Sequence, residues 1–407
     1  MPLNKSRRFV ALDSWRGVCA LLVAVHHWNL FSAWHFNSNH FLLHSWMFVD
    51  FFFVLSGFVI THAYVDELRS AFDLGIFMLR RFGRLWPLHA SLLAAFVGIE
   101  LLKYAAALLH VPLDTAPFQA ATDHPSLAPN AILTNLLLIH SLGIHQSRTW
   151  NGPSWSISLE LWTCLVFAIV CISSARRPSP LIVGGIALLA ATCVFLLSPK
   201  YMEATVDYGF LRCIYGFFIG HLVYRVWEQH PNLSWRMGLF EIPAVLIAVA
   251  FVALVGSDAW SMAGPLIFAA VIYVFAYESG SLAAILKTTP FVLLGRWSYS
   301  IYLVHWFILN AVIIRVAMIF GKIAHRQVIH LFEFPDFDYS VSLLYIKNMW
   351  LMDLLCICYL LAVIALSAVT YNLIEQPARR FFNKMAVRLT AARTSRSMRL
   401  VREDGLK

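Results

Sequence analysis

Charged residues are scarce in this sequence of 407 residues: Asp, Glu, Lys and Arg together make up 13% of it, against about 25% in soluble domains. Hydrophobic residues make up 60%, against roughly 45–50% in such domains. This shortage of charge excludes a soluble globule with a single core. Apolar runs of about 20 residues recur along the chain, which is the length that a helix needs to cross a bilayer. The sequence therefore predicts a polytopic membrane protein.

Patterns typical of disulfides, metal sites and nucleic-acid binding are also missing. The seven cysteines lie inside or at the ends of apolar segments, with neither a CxxC spacing nor a Cys/His spacing typical of zinc. We therefore expect no metal and no disulfide. The net charge of +9 does not indicate nucleic acid, because the basic residues concentrate in alternate loops, as in cytoplasmic loops of membrane proteins. The first apolar segment lacks a small-residue cleavage site, so we expect no signal peptide.

The ten-residue alternating pattern of a barrel strand is absent, so the apolar runs are predicted to be helices with internally bonded backbones. We predict an all-α polytopic membrane protein with about ten transmembrane helices and both termini in the cytoplasm. The predicted spans are 11–32, 45–65, 86–109, 154–174, 181–198, 205–226, 239–256, 260–277, 291–314 and 350–373.

One further apolar stretch, 131–139, is too short to cross a hydrocarbon layer of about 30 Å, and we expect it to be re-entrant or interfacial. Counting it as a span would place Arg176 and Arg177 outside, although Lys and Arg accumulate in cytoplasmic loops. We expect one membrane domain, 1–380, followed by a basic cytoplasmic tail, 381–407. From about Ala386 this tail is predicted to be disordered or to lie along anionic lipid.

The first predicted span contains polar residues that lipid does not tolerate without a partner or water. Arg16 lies inside it, where a central charge costs on the order of 2.5–3.5 kcal/mol, and Asp13 one turn earlier can pair with it. His27 follows on the same face about 16 Å deeper, whereas His26 points about 80° away. Alternatively, Asp13 and Arg16 form an interfacial pair, and both histidines lie where the helix reaches the far headgroups.

Two arginines, Arg81 and Arg84, share a helical face immediately before the third span. Two guanidiniums on one face can donate bidentate, charge-assisted hydrogen bonds, which makes them candidates for a phosphate site. The alternative is that they only follow the tendency of basic residues to lie on the cytoplasmic side.

Two later spans carry polar clusters. Trp155, Ser156 and Glu160 lie in the first turns of the fourth span, and a carboxylate at that depth is a functional candidate because it is costly unless protonated or paired. The alternative is a protonated Glu160 bonded to a neighbouring helix. In the ninth span Tyr302 and His305 can meet on one face, although a lone histidine there is more often structural than catalytic.

Taken together, these motifs resemble the acyltransferase 3 family of integral membrane acyltransferases, over roughly residues 9–380. Trp15 departs from the family pattern, because it replaces the usual aliphatic residue. We also expect no extracytoplasmic esterase-like domain, which removes a clue to the acceptor. The strings that carry the resemblance are Leu12–Gly17 followed by His27, Asp50–Ile60, Arg81 with Arg84, Trp155–Glu160, Ser298–His305 and Tyr371–Pro377.

The resemblance implies an enzyme of the plasma (inner) membrane that transfers an acyl group, usually acetyl, from cytoplasmic acetyl-CoA. The implied acceptor is a hydroxyl of a glycan, a lipid-linked saccharide or another molecule. His27 is then expected to be the general base, because an imidazole with a pKa near 6.5 suits removal of the hydroxyl proton. Arg16 is expected to stabilise the thioester end of the donor or the cavity beside the first helix.

The remaining expected roles follow from the same resemblance. Glu160 is expected to orient the histidine or to bind the acceptor. Arg81 and Arg84 are expected to hold the CoA phosphates. The residues expected to contact the acceptor are Trp155, Ser156, Tyr302 and His305.

A transporter that exports a glycan or a small metabolite is the competing interpretation, with Arg16, Glu160 and His305 as residues of its pathway. Consumption of acetyl-CoA by the purified protein separates the two classes, because a transporter should leave acetyl-CoA intact.

Overall fold

The computed structural model describes residues 7–111, 116–118, 126–174, 177–334 and 339–404. Arg176 and the last residues of the tail, 405–407, lie outside these ranges. The described chain is helical apart from its loops and one β-hairpin, which agrees with the predicted all-α class.

Sixteen α-helices are present in the described residues. They are α1 (Val10–Phe31), α2 (His40–Leu43), α3 (Phe48–Tyr64), α4 (Ala71–Leu108), α5 (Ala131–Leu136), α6 (Trp155–Ser173), α7 (Pro180–Leu197), α8 (Gly209–Gln229), α9 (Ser234–Met237), α10 (Glu241–Leu254), α11 (Gly264–Phe275), α12 (Ser281–Leu286), α13 (Thr289–Trp306), α14 (Arg315–Ile323), α15 (Met349–Thr370) and α16 (Gln376–Asp404). Wider π turns continue α13 and α15 over Phe307–Ile314 and Tyr371–Glu375.

Within the described ranges, six helical segments are long and apolar enough to cross a membrane, which confirms a polytopic membrane protein. All ten predicted spans coincide with helices. The number of ten crossings and the cytoplasmic position of both termini stay predictions. The six segments are Ser45–Tyr64, Ala71–Leu108, Gly152–Ser173, Pro180–Leu197, Thr289–Ile323 and Met349–Ser395.

The helix that contains the predicted third span begins well before residue 86, where hydropathy placed the start of the span. Helix α4 has 38 residues and is about 57 Å long, and it starts at Ala71 instead of residue 86. The Ser70 hydroxyl caps it by accepting a hydrogen bond from the Asp73 N–H at 3.3 Å. The charged first half of α4 was predicted to lie in a cytoplasmic segment before the span, with Arg81 and Arg84 on one helical face, and the structure makes it one continuous helix with the span.

The apolar stretch 131–139 contains only the six-residue helix α5. At a rise of 1.5 Å per residue such a helix is about 9 Å long, so it is too short to cross the hydrocarbon layer. The structure is therefore in line with a segment that enters the membrane or lies at its surface.

The tail from about residue 386 was predicted to be disordered or to lie on lipid, and the structure describes it as helical as far as Asp404. Helix α16 continues from α15 through the π turn and packs antiparallel against the first half of α4. The rings of Phe382 and Phe82 lie 5.9 Å apart, and the Arg393 guanidinium lies 4.4 Å from the centroid of the Phe72 ring. These contacts, together with the burial of Ala386, attach a segment whose overall composition is basic, which composition alone does not reveal.

A β-hairpin that the sequence analysis did not predict follows α14. Strand β1 (Ile329–Phe334) pairs antiparallel with strand β2 (Tyr339–Leu344), with Ile329 opposite Leu344. The Ala33 N–H donates to the Leu344 carbonyl at 2.9 Å, which attaches the hairpin to the chain just after α1. The hairpin therefore lies at the same end of the molecule as the C-terminus of α1.

Helices α1 and α13 pack parallel and unusually close, and this contact positions the candidate site. A Cβ atom at Gly295 would lie 2.3 Å from the Asp13 carbonyl oxygen, and one at Gly17 would lie 2.4 Å from the Leu294 carbonyl carbon. Ten residues further along each helix, His27 and His305 are also in contact. Equal spacing in the same direction shows that the helices are parallel, as the predicted order of spans requires, with α1 first and α13 ninth.

Helices α3 and α8 make a second close contact through glycine. A Cβ atom at Gly57 would lie 1.9 Å from the Phe217 carbonyl oxygen, and one at Gly220 would lie 1.9 Å from the Val54 carbonyl oxygen. Small residues allow such an approach between membrane helices. The contact brings Asp50 of α3 beside Arg212 of α8, an ion pair described below.

Candidate active site

Two histidines from the parallel helices α1 and α13 are in contact in the interior of the protein. The Nδ1 atom of His27 lies 3.2 Å from the Nε2 atom of His305, and their ring centroids are 4.9 Å apart. Tyr359 of α15 lies behind them and donates towards the carbonyls of Ala24 and His305, at 3.3 and 3.4 Å. Three helices therefore fix the relative position of the two rings.

The hydrogen bonds of this pair determine which nitrogen atoms carry protons. His305 Nδ1 lies 3.2 Å from the Ile301 carbonyl oxygen, which can only accept, so Nδ1 is the protonated nitrogen and Nε2 accepts. His27 Nδ1 lies 2.9 Å from the Val23 carbonyl oxygen and must therefore donate, to this carbonyl and to His305. The Nε2 atom of His27 is left with a free lone pair, which is the form that a general base requires.

The start of α6 is attached to α13 one turn before His305. The Ser156 hydroxyl donates to the Tyr302 hydroxyl at 2.9 Å, and Tyr302 donates to the Pro153 carbonyl at 3.1 Å. Asn151 donates to the Leu303 carbonyl at 3.2 Å. The structure thus brings Ser156 and Tyr302 together beside the histidine pair, as sequence reasoning expected for residues of one site.

Trp155 is held from the other side by a buried ion pair. The Arg212 guanidinium binds Asp50 through two hydrogen bonds, at 2.7 and 2.9 Å, and lies 5.3 Å from the Trp155 ring and 5.1 Å from the Trp46 ring. Both charged side chains are almost fully buried. Arg212 therefore serves as a rigid support that fixes the orientation of the Trp155 indole.

Glu160 has partners other than those predicted for it. Its carboxylate accepts hydrogen bonds from Arg81 of α4 and, at 3.0 Å, from Ser56 of α3. In the described residues no contact joins it to His27, and His305 occupies the position that Glu160 was expected to take. Arg81 is likewise buried in this pair, and its Nε atom has no partner.

A group of charged residues, which we call the Arg84 cluster, lies where α1, α4, α13 and α16 meet: it consists of Arg16, Arg84, Glu375 and Arg379. Glu375 accepts a hydrogen bond from Ser300 at 2.9 Å and has the three arginines as electrostatic neighbours. Arg16 has Asp13 within 3.7 Å. About 16 Å separates Arg16 from His27 along α1, so the two cannot touch the same atom.

Polar side chains therefore follow one another through the interior along α13. The Arg84 cluster lies beside Ser300, the pair of Ser156 and Tyr302 lies further along, and the histidine pair is near the other end. Such a row of polar groups is costly inside a membrane protein, which makes it a candidate functional pathway.

Sequence reasoning did not assign a role to several residues of this region. Arg148 was not among the predicted site residues, although it is an electrostatic neighbour of His26, His27 and Tyr302. Glu375 lies in the string Tyr371–Pro377 that carries part of the resemblance, but it was given no role in the site. Contacts across long distances in sequence place Arg148 near the histidines, and no local pattern pointed to that residue.

One histidine outside the spans supports the start of α6. His140 Nε2 lies 3.1 Å from the Ser154 hydroxyl, and its ring stacks on His89 at 5.6 Å. Burial lowers the pKa of His140 to about 3, with a smaller contribution from His89. His140 is therefore neutral at physiological pH, which suits a purely hydrogen-bonding role. Within the described residues, no group of three or more His, Cys, Asp or Glu side chains is arranged to hold a metal ion.

Comparison with known proteins agrees with this arrangement. A family model described as an acyltransferase domain matches residues 9–321, which is most of the chain and includes every helix of the site except α15 and α16. The chain belongs to the acyltransferase 3 family. It is therefore an acyltransferase, as the sequence motifs predict, and the transporter interpretation is not retained.

Two relatives of this acyltransferase are informative. Protein 2 in the picA locus of Rhizobium radiobacter is 30% identical over 201 residues, which are 48% of this chain and 100% of that protein. Peptidoglycan O-acetyltransferase OatA of Listeria monocytogenes is 24% identical over 327 residues, which are 74% of this chain and 49% of that protein. The chain thus matches about half the length of the second relative. No solved structure matches the acyltransferase.

Proposed function

We propose that this acyltransferase moves an acetyl group from cytoplasmic acetyl-CoA to a hydroxyl of a glycan, a lipid-linked saccharide or another acceptor, with His27 as the general base. The observation that carries the proposal is the His27–His305 pair, in which the hydrogen bonds leave His27 Nε2 unprotonated. The printed name of the Listeria relative, a peptidoglycan O-acetyltransferase, supports an acetyl donor and a glycan hydroxyl.

In the proposed reaction, the oxygen of the acceptor hydroxyl attacks the thioester carbonyl carbon. At the same time His27 Nε2 accepts the proton of this hydroxyl. The new C–O bond forms a tetrahedral intermediate. Its collapse breaks the C–S bond, and the departing CoA sulfur takes the proton from His27. The neutral imidazole is thereby regenerated, and no further reactant is needed. His305 stabilises the intermediate imidazolium by accepting the His27 Nδ1–H.

We propose that the donor lies along the polar row, with its phosphates at Arg84 and its thioester near His27. Arg16, about 16 Å from His27 along α1, would then contact the pantetheine arm instead of the carbonyl. Arg81 was expected to bind phosphate too, but a phosphate there must displace the Glu160 carboxylate. We therefore assign the main phosphate contact to Arg84 and retain Arg81 with Glu160 as a charged pair beside the reaction path.

The acceptor is proposed to reach His27 from the opposite side of the membrane, past Trp155, Ser156 and Tyr302. This route needs a membrane that has acetyl-CoA on one face and the acceptor on the other. We therefore propose that the acyltransferase lies in the plasma (inner) membrane, whose cytoplasmic face has access to acetyl-CoA. This two-sided arrangement requires the predicted topology of ten spans, with a membrane domain of 1–380 and the basic tail of 381–407 in the cytoplasm.

The function is tested with the purified full-length acyltransferase in lipid nanodiscs. Release of CoA thiol from acetyl-CoA is measured with and without an extract of cell-surface glycans, whose acetylation is followed by mass spectrometry. We expect thiol release that is stimulated by the extract and absent in a His27→Ala variant. Intact acetyl-CoA in every sample would refute the proposed donor.

Replacing His305 with Ala is expected to lower kcat by about 10- to 100-fold, because a hydrogen bond to a charged group contributes about 1.5–3 kcal/mol. His305→Gln should recover a large part of the rate, since its side-chain oxygen can still accept the His27 Nδ1–H. Steady-state thiol release measures both variants. Equal losses in the Ala and Gln variants, or a change confined to the acceptor KM, would contradict a positioning role.

Replacing Arg84 with Ala is expected to raise the KM for acetyl-CoA about tenfold with little change in kcat, because the lost contact is to a non-reacting part of the donor. Lys should restore only part of the affinity, since it retains the charge but not the bidentate geometry. Arg80→Ala is the matched control from the neighbouring turn. An unchanged KM for acetyl-CoA in the Arg84 variant would contradict the phosphate contact. Arg84 would then only follow the tendency of basic residues to lie on the cytoplasmic side.

A further inference from the structure

The tail helix α16 is fixed to α4 beside Arg84. A Cβ atom at Gly83 would lie 2.3 Å from the Phe382 Cβ atom, so the two helices approach as closely as glycine permits. Arg84 follows Gly83 directly, and Arg379 precedes Phe382 by almost one helical turn. The packing therefore holds two guanidiniums from different helices at the same level of the structure.

These guanidiniums are not neutralised by the protein. Across the described residues neither Arg84 nor Arg379 forms an ion pair or a hydrogen bond, although each is an electrostatic neighbour of the other. Glu375 is an electrostatic neighbour of both guanidiniums and of Arg16, and it accepts a hydrogen bond from Ser300. Like charges held together without pairing cost free energy, and a bound anion removes that cost.

We infer that Arg379 of the tail helix joins Arg84 to form a two-helix clamp for a phosphate group of the acyl-CoA donor. This inference rests on the proposed donor, and it extends the donor site to a segment beyond the matched acyltransferase domain. Planar guanidiniums bind phosphate oxygens in a bidentate manner, so two of them from different directions can enclose one phosphate.

The position of the cluster favours a donor phosphate over a lipid headgroup, which has the same chemistry. Ser300, bonded to Glu375, is fully buried on α13 and lies five residues before His305. The clamp thus opens towards the row of polar residues that leads to His27. A headgroup at the lipid surface has no reason to be connected to that row.

The test measures binding of acetyl-CoA and of the phosphate-free analogue S-acetylpantetheine to the full-length protein in nanodiscs. Arg379→Ala is expected to raise the Kd for acetyl-CoA about tenfold and to leave the Kd for S-acetylpantetheine unchanged. Arg379→Lys should lie between wild type and Ala. Arg380→Ala is the matched control, since Arg380 is the adjacent residue, is also exposed and has no ion pair in the described chain.

Each alternative outcome is distinct. A wild-type Kd in the Arg379→Ala variant, or equal losses at Arg379 and Arg380, overturns the inference and leaves the proposed function intact. Equal weakening of both donors indicates a general structural defect and also overturns it. Loss of co-purified phosphatidylglycerol in native mass spectrometry, with an unchanged Kd for acetyl-CoA, assigns the clamp to a lipid headgroup. Absence of acetyl-CoA binding to the wild type refutes the proposed donor itself.

Discussion

His27→Ala is expected to lower the rate of acetyl transfer by about 10²–10⁴-fold while the protein still folds and inserts into the membrane, because this is the usual contribution of a general base. The imidazole is well placed for the role, since His305 and the Val23 carbonyl hold its Nδ1–H and leave Nε2 free. Removal of the ring leaves the acceptor hydroxyl without a group that can take its proton. Thiol release and glycan acetylation by purified protein measure the loss.

His26→Ala is the matched control, because His26 is the adjacent residue on α1 and is equally buried. Its Nδ1 atom lies 3.2 Å from the Leu42 carbonyl oxygen, so it is bonded to α2 instead of His305. We expect a much smaller loss of rate. The assignment of the base would be wrong if the His26 variant were inactive and the His27 variant close to wild type.

The helical class and the position of each apolar segment were predictable because each depends on local hydropathy. The partnership of His27 with His305 was not, since 278 residues separate them. It depends on the close approach of Gly17 and Gly295, and a glycine in an apolar run does not reveal which helix it contacts. The sequence did place His27 and His305 among the candidates, because polar residues inside apolar segments are conspicuous.

Arg81 illustrates the limit of local reasoning about charge. Hydropathy predicted that it lies in a cytoplasmic segment before a span that begins at residue 86, whereas α4 begins at Ala71 and carries Arg81 into the interior. Its partner Glu160 is 79 residues away, on α6. A basic residue beside an apolar segment can therefore be a topological signal or half of a buried pair, and only the tertiary fold distinguishes the two.

The helix that the tail forms was not predictable for a related physical reason. Its basic composition predicted either disorder or attraction to lipid, since a segment of that composition cannot form a core by itself. Helix α16 does not need its own core, because Phe382 packs into the space left by Gly83 on α4. That complementarity is a property of two segments about 300 residues apart, and composition describes only one of them.

Breaking the pair of Arg81 and Glu160 is expected to have the second large effect. Glu160→Gln leaves the Arg81 guanidinium, whose side chain is 11% exposed, without a compensating charge, and loss of one partner of a buried pair costs about 3–5 kcal/mol. We expect a clear fall in the midpoint of thermal unfolding in detergent, together with loss of activity. Ser56→Ala, which removes only the neutral hydrogen bond to Glu160, should have a small effect on both.

The double variant Arg81→Gln with Glu160→Gln separates stability from chemistry. Replacing both charges removes the unpaired ion, so we expect the thermal midpoint to return close to the wild-type value. If Glu160 also binds the acceptor, as the sequence motifs led us to expect, the rate of acetyl transfer stays low in this well-folded protein. Recovery of both stability and rate would show that the pair is only structural. In that case the two charges are tolerated inside the membrane protein because they neutralise each other. Glu160 would then have no part in catalysis, and His27, positioned by His305, would be the one residue with an assigned catalytic role.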